Sequence, residues 1–168
     1  MVIRTSPYIF AAAPLIIGSL IGLLTAPSGG GSAWYKDLKK PSWTPPSWVF
    51  GPAWTFLYIL MGIASVPVFN LAVKGGKEAD KARMALGVYI LSLLVNFAWS
   101  PVFFGLHMPG WALILIVLLL GLIVWTIYLF AGLGVRSWIL LIPYLAWVTY
   151  ATTLNAGIVA INVRKVQM

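Results

Sequence analysis

The side chains able to do acid–base, metal or nucleophilic chemistry are few and poorly spaced for it. The 168-residue chain has three carboxylates, Asp37, Glu78 and Asp80, one histidine, His107, and no cysteine. All three acids fall in polar stretches between apolar runs, so no paired carboxylates sit inside a membrane as a proton relay requires. One histidine cannot make a metal site of the usual kind, and His107 reads as a solvated residue of a tight loop. No Ser–His–Asp set is available within an apolar run. The glycine-rich stretch Pro27–Ser32, PSGGGS, lacks the GK[ST] ending of a phosphate loop. Without cysteine there is no disulfide, thiolate catalysis or zinc–thiolate site. The sequence therefore predicts no metal, no obligatory cofactor and no classical enzyme activity.

What remains is aromatic and weakly polar. The chain holds nine tryptophans, seven tyrosines and eight phenylalanines. At helical spacing, Tyr144, Trp147, Ala151 and Leu154 share one face, as do Ser92, Asn96, Trp99 and Phe103. Phe50, Trp54, Tyr58 and Met61 align on a third, with Gly51 and Ala53 beside them. Buried indole and amide N–H groups need acceptors where there is no water, so these faces should point inward. Spacing leaves two readings open: tight helix packing with no cavity, or a slot between large rings and small residues for a flat apolar ligand with a few polar groups.

The elements that position these faces are membrane spans. The composition is 61% hydrophobic and 8% charged, against about a quarter charged in soluble domains. Between Arg83 and Arg136 no charged residue occurs, room enough for two spans. The apolar runs predict an all-α integral membrane protein, a five-transmembrane-helix bundle in one domain over 1–168, with helices near 8–26, 48–73, 84–104, 111–131 and 137–161. A secretory signal peptide is the rival reading of the first run, with small residues at Thr25–Ala26. Gly18 and Gly22 form a GxxxG pair that admits close approach of another helix, in the same bundle or in a homodimer. Pro67 predicts a kink. Lys74–Arg83 reads as a solvated loop, and Gly105–Gly110 as the tight turn of an antiparallel hairpin. The net charge of +8 is spread in short groups between apolar runs, which excludes nucleic acid and favours anionic headgroups of the bilayer. Five spans put Lys36, Lys39, Lys40, Arg164 and Lys165 on one face, and Arg4, Lys74, Lys77, Lys81, Arg83 and Arg136 on the other. That near-balance does not set orientation.

Trp34 to Tyr58, WYKDLKKPSWTPPSWVFGPAWTFLY, joins the first two spans. Pro41, Pro45 and Pro46 hold an extended, stiffened lid, and Trp34, Tyr35, Trp43 and Trp48 suit the membrane–water boundary. This run resembles the first loop and second helix of the translocator protein family, also called tryptophan-rich sensory proteins or peripheral benzodiazepine receptors. Collinear matches follow at Asn96–Trp99 with Pro101 and Phe103–Gly105, at Trp111–Leu113, at Pro143–Trp147, and at Ala151–Thr152 with Leu154–Asn155. The resemblance spans roughly Tyr8 to Asn162. It implies a multi-pass protein of a bacterial envelope membrane or the mitochondrial outer membrane. It also implies a pocket under the first loop for porphyrins (protoporphyrin IX or haem), sterols or drug-like aromatic ligands.

By matching motif, the resemblance implies a pocket lined by Trp34, Phe50, Gly51, Ala53, Trp54, Asn96, Trp99, Trp111, Ile114, Leu118, Trp147, Ala151 and Leu154. Trp34 and Trp147 match indoles proposed for light-driven porphyrin breakdown in bacterial members. Transport of a sterol or porphyrin is the other implied activity. Animal members carry a cholesterol-recognition pattern after the fifth helix. Here Ala156 and Gly157 stand where its tyrosines would, which favours a tetrapyrrole or another flat hydrophobic ligand over a sterol at that site.

Overall fold

The computed structural model describes residues 6–163, which leaves Arg4, Arg164 and Lys165 outside the described residues. Five helices are long and apolar enough to cross a bilayer. Helix α1 is Pro7–Thr25, capped by Ser6 with Pro7 at its first position, where a missing N–H costs nothing. A short helix α2, Ala33–Asp37, follows inside the lid. The sequence predicts only extended chain there. Ser32 makes the difference: its Oγ accepts from Tyr35 N and starts a turn.

Helix α3 is Phe50–Lys74 and begins after a 3-10 turn at Ser47–Val49. Pro52 lies in its first turn, and the helix continues past Pro67 to Gly75. Gly75 and Gly76, at φ 78° and 100°, make the reversal that residues with side chains rarely make. Helix α4, Ala79–Ser100, then starts five residues earlier than the sequence pattern predicts. Most of the expected 74–83 loop shrinks to a tight turn. Asp80 lies in the first turn of α4, beside the helix's positive end. Exposed ion pairs, Lys81–Glu78 at 3.1 Å and Arg83–Asp80 at 2.7 Å, face solvent.

Pro101 cannot donate a backbone hydrogen bond, and α4 widens there into a π turn, Pro101–Gly105. Leu106 N reaches back to Pro101 O at 2.9 Å. His107 closes the turn at φ 57°. Helix α5, Pro109–Gly132, returns antiparallel. A 3-10 segment, Arg136–Leu141, leads into α6, Ile142–Val163.

Helix α1 packs on α3, α3 on α4, α4 on α5, and α5 on α6. Away from the lid the helices meet tightly. Ala64, Val68, Ala82 and Ala85 are fully buried there, with Tyr89 and Phe130 filling the remaining width. A side chain at Gly62 would overlap the carbonyl of Ala11, and one at Gly18 would overlap the Tyr58 ring. Gly18 is thus used inside the bundle. Small residues let backbones approach where lipid supplies no hydrophobic drive. At the lid end the helices part.

Candidate ligand-binding cavity

Beneath the lid lies a cavity of about 740 Å³, within the usual ~300–1,000 Å³ of small-molecule sites. One wall is Trp54, stacked on Tyr58 with centroids 5.4 Å apart. The other is Trp99, stacked on Phe103 at 5.0 Å, with Phe104 edge-on to Phe103 at 4.8 Å. The π turn brings Phe103 and Phe104 to this wall together. The residues lining it carry hydroxyls and amides and no Asp, Glu, Lys, Arg or His.

Two polar networks hold the walls. Asn96 Nδ2 donates to the Tyr144 hydroxyl at 2.8 Å. Trp99 Nε1 donates to Asn155 Oδ1 at 3.1 Å, and Asn155 Nδ2 donates to Pro109 O at 2.8 Å. The second network ties α4, the start of α5 and α6 at one level. A smaller void of about 30 Å³ lies behind the main cavity, bounded by Phe50, Trp54, Asn96, Trp99, Trp147 and Ala151 among others. Trp147 Nε1 is buried at that level and finds no acceptor among the described residues.

The roof is the lid. Tyr35 closes the cavity from above, and burial pushes its phenol pKa up. Lys40 Nζ lies 4.6 Å from the centre of the Tyr35 ring and donates to the carbonyls of Tyr35 and Leu38. The lid is fastened along α6. The Tyr150 hydroxyl donates to Trp43 O at 2.7 Å, and Asn162 Nδ2 donates to Lys39 O at 2.9 Å while its Oδ1 accepts from Lys39 N at 3.3 Å. Pro41 rests where a side chain at Gly157 would stand.

Of the sequence-predicted residues, Phe50, Gly51, Trp54, Asn96, Trp99, Ala151 and Leu154 line the cavity together, and Trp147 faces the smaller void. Ala53 is not on either wall. Trp34 lies in the roof, stacked on His107 at 4.2 Å and edge-on to Phe103 at 5.8 Å, outside the lining. His107 is exposed but engaged, rather than simply solvated. Trp111, Ile114 and Leu118 are 62%, 58% and 52% exposed on the outer face of α5 and do not line the cavity. The inward face of α5 is Ala112, Ile116, Leu119, Ile123, Thr126 and Phe130. Sequence reasoning missed the contribution of α1, where Gly18, Ser19, Gly22 and Thr25 line the space. Their spacing as one small-residue stripe was the available signal.

The sequence model of the TspO/MBR family matches residues 10–161. The chain belongs to that family. It is 42% identical to the translocator protein of Homo sapiens over 127 residues, covering 76% of this chain and 73% of that protein. It is 36% identical to the tryptophan-rich protein TspO of Chlorobaculum tepidum over 156 residues, covering 88% and 96%. To the tryptophan-rich sensory protein of Cereibacter sphaeroides it is 38% identical over 129 residues, covering 77% of each. With its five apolar helices, this TspO/MBR member is an integral multi-pass membrane protein. The family match takes in both cavity walls, the lid, and Tyr150 and Gly157 of α6, and ends one residue before Asn162.

Proposed function

We propose that this translocator/sensor-type membrane protein binds a flat, largely apolar ligand of the porphyrin type between the Trp54 and Trp99–Phe103 walls. The observation that carries the reading is the 740 Å³ cavity, faced by stacked aromatic rings on two sides and free of charged side chains. Rings present large rigid area at low entropic cost, and Trp147 Nε1 offers a donor without an acceptor of its own. The test is quenching of tryptophan fluorescence in lipid nanodiscs by protoporphyrin IX, haem and a sterol. Saturable quenching by a porphyrin, stronger than by the sterol, is the expected result. No saturable quenching by either porphyrin would end the reading.

A second reading, light-dependent porphyrin degradation, is favoured by one arrangement. Trp54 and Trp147 both border Phe50, so two electron-rich indoles flank the inner end of the site. An excited porphyrin can take an electron from an adjacent indole, and phenyl rings are far harder to oxidise. Under equal illumination and oxygen, the Trp54→Phe, Trp147→Phe double variant should bleach bound porphyrin more slowly than the wild type. Trp34→Phe should not, because Trp34 sits in the roof against His107. Bleaching of all three at one rate would leave binding alone.

A further inference from the structure

We propose that ligand reaches and leaves the cavity sideways, from within the bilayer, through a slot between α1 and α3, while the lid stays seated as a fixed roof. This rests on the binding reading above.

The two helices are clamped together below the slot and released above it. At Gly62 the backbone of α3 leaves no room for a side chain beside Ala11, and at Gly18 the Tyr58 ring fills the gap. One turn further up, Gly22 has nothing within 4 Å of where a side chain would begin, and neither does Gly51 across the gap. The rise from Gly18 to Gly22 is ~6 Å at ~1.5 Å per residue. The top of α1 is tied to α4 instead, where Thr25 and Ser100 share a hydrogen bond at 3.0 Å. Ser19, Gly22, Gly51 and Thr55 line the cavity along this stretch, and all four are exposed. Leu23, next to Gly22, lines the cavity too and is 71% exposed, as at the edge of an open wall.

The chemistry of the slot suits a lipid-borne solute. Its edges lie inside the first two candidate spans, Pro7–Ser28 and Ser47–Lys74. Thr55 Oγ1 donates to Gly51 O at 3.0 Å and so makes no demand on a passing ligand. On α1, Ile21 and Leu23 add apolar side chains to the same lining. The roof, by contrast, is fastened along α6 by Tyr150, Asn162 and the seat of Pro41 on Gly157. Lifting it would break all of these and unstack Trp34 from His107. Parting α1 from α3 above Gly18 breaks no hydrogen bond between those two helices among the described residues.

A gate is read in rates, so loading and release are both followed. The chain has no cysteine, so introduced thiols are unique. A Ser19→Cys, Thr55→Cys variant, bridged across the slot by a short reducible bis-methanethiosulfonate, is loaded with protoporphyrin IX in proteoliposomes and followed by tryptophan quenching. Loading of empty protein and release from preloaded protein should both slow by roughly tenfold or more, as for a blocked gate, and reductant should restore both. A Lys39→Cys, Asn162→Cys bridge, which locks the roof, should leave both rates unchanged. Gly22→Phe, whose Cβ would meet nothing within 4 Å, places a ring at the slot and should give the same slowing without chemistry. The proposal is overturned if the roof bridge slows loading, or if the slot bridge and Gly22→Phe both load at the wild-type rate. Absence of saturable quenching in the unmodified protein would instead remove the binding reading itself.

Discussion

The half of the bundle away from the lid and the half beneath it are built from the same five spans by opposite means. In the far half the contact residues are small. Ala64, Ala82 and Ala85 have no exposure, and Gly62 lets α3 touch the backbone of α1 at Ala11. Polar side chains there bond to backbone carbonyls, as when Ser65 donates to Gly62 O at 2.7 Å within α3 and Tyr89 of α4 to Met61 O of α3 at 3.1 Å. Beneath the lid, Trp54, Trp99, Phe103 and Phe104 stand on facing helices and prop them apart. The polar bonds there run between helices, Asn96 to Tyr144 and Trp99 to Asn155. In lipid, where burial of apolar surface does not itself draw helices together, side-chain size decides whether a helix pair closes or holds a space.

The sharpest way to break this contrast is to place the same side chain in each half. Gly62→Leu must push α3 off the Ala11 carbonyl and should cost about 3 kcal/mol, the upper end for overpacking. At Gly22 a Cβ meets nothing within 4 Å, so Gly22→Leu should be neutral, or stabilising by up to about 1 kcal/mol, since Leu is the better helix former. Thermal unfolding in one detergent compares the two. Equal losses would mean that the halves are not packed differently. Next in size is Ala151→Phe, which adds a ring to the cavity wall rather than to a closed contact. Porphyrin affinity should fall by about 1–3 kcal/mol, a typical overpacking cost, with the unfolding temperature little changed. Unchanged quenching in the folded variant would place Ala151 outside the ligand's path.

The two halves were also unequally legible in the sequence. Apolar run length and the charge-free stretch from Arg83 to Arg136 were enough for five spans, because lipid admits few backbone solutions. The walls on α3, α4 and α6 were readable because their aromatics repeat at helical spacing among smaller or polar residues. Helix α5 was not. It is apolar all round, so nothing in its sequence distinguishes Trp111, Ile114 and Leu118, which face out, from Ile116 and Leu119, which face in. Hydrophobic patterning carries facing information only when one side of a helix is polar. The start of α4 was misplaced for a related reason. A run of charges looks like a loop, yet Asp80 and two i,i+3 ion pairs are what an exposed helical first turn uses. The place of Trp34 in the roof was not readable, because its motif gives its sequence neighbours and not its partner, His107, which comes from the far turn between α4 and α5.

The smallest expected effect concerns the roof, and it sharpens the comparison by asking what the lid adds to a half that is already open. Tyr150 donates one hydrogen bond to Trp43 O, and Tyr150→Phe removes it while keeping the ring that packs beside Trp147 at 5.8 Å. The bond lies at an exposed position, so water can replace the lost donor, and the change should be about 0.5–1 kcal/mol, the lower part of the range for one hydrogen bond. Two further fastenings remain, at Asn162 and at the Pro41–Gly157 contact. The lid should therefore stay seated in the single variant, with proteolysis at Lys36, Lys39 and Lys40 only slightly faster than in the wild type. Adding Asn162→Ala should raise cleavage clearly more than the product of the two single-variant factors, since each fastening holds the lid in register for the other. A double-variant rate equal to that product would mean that the fastenings act independently.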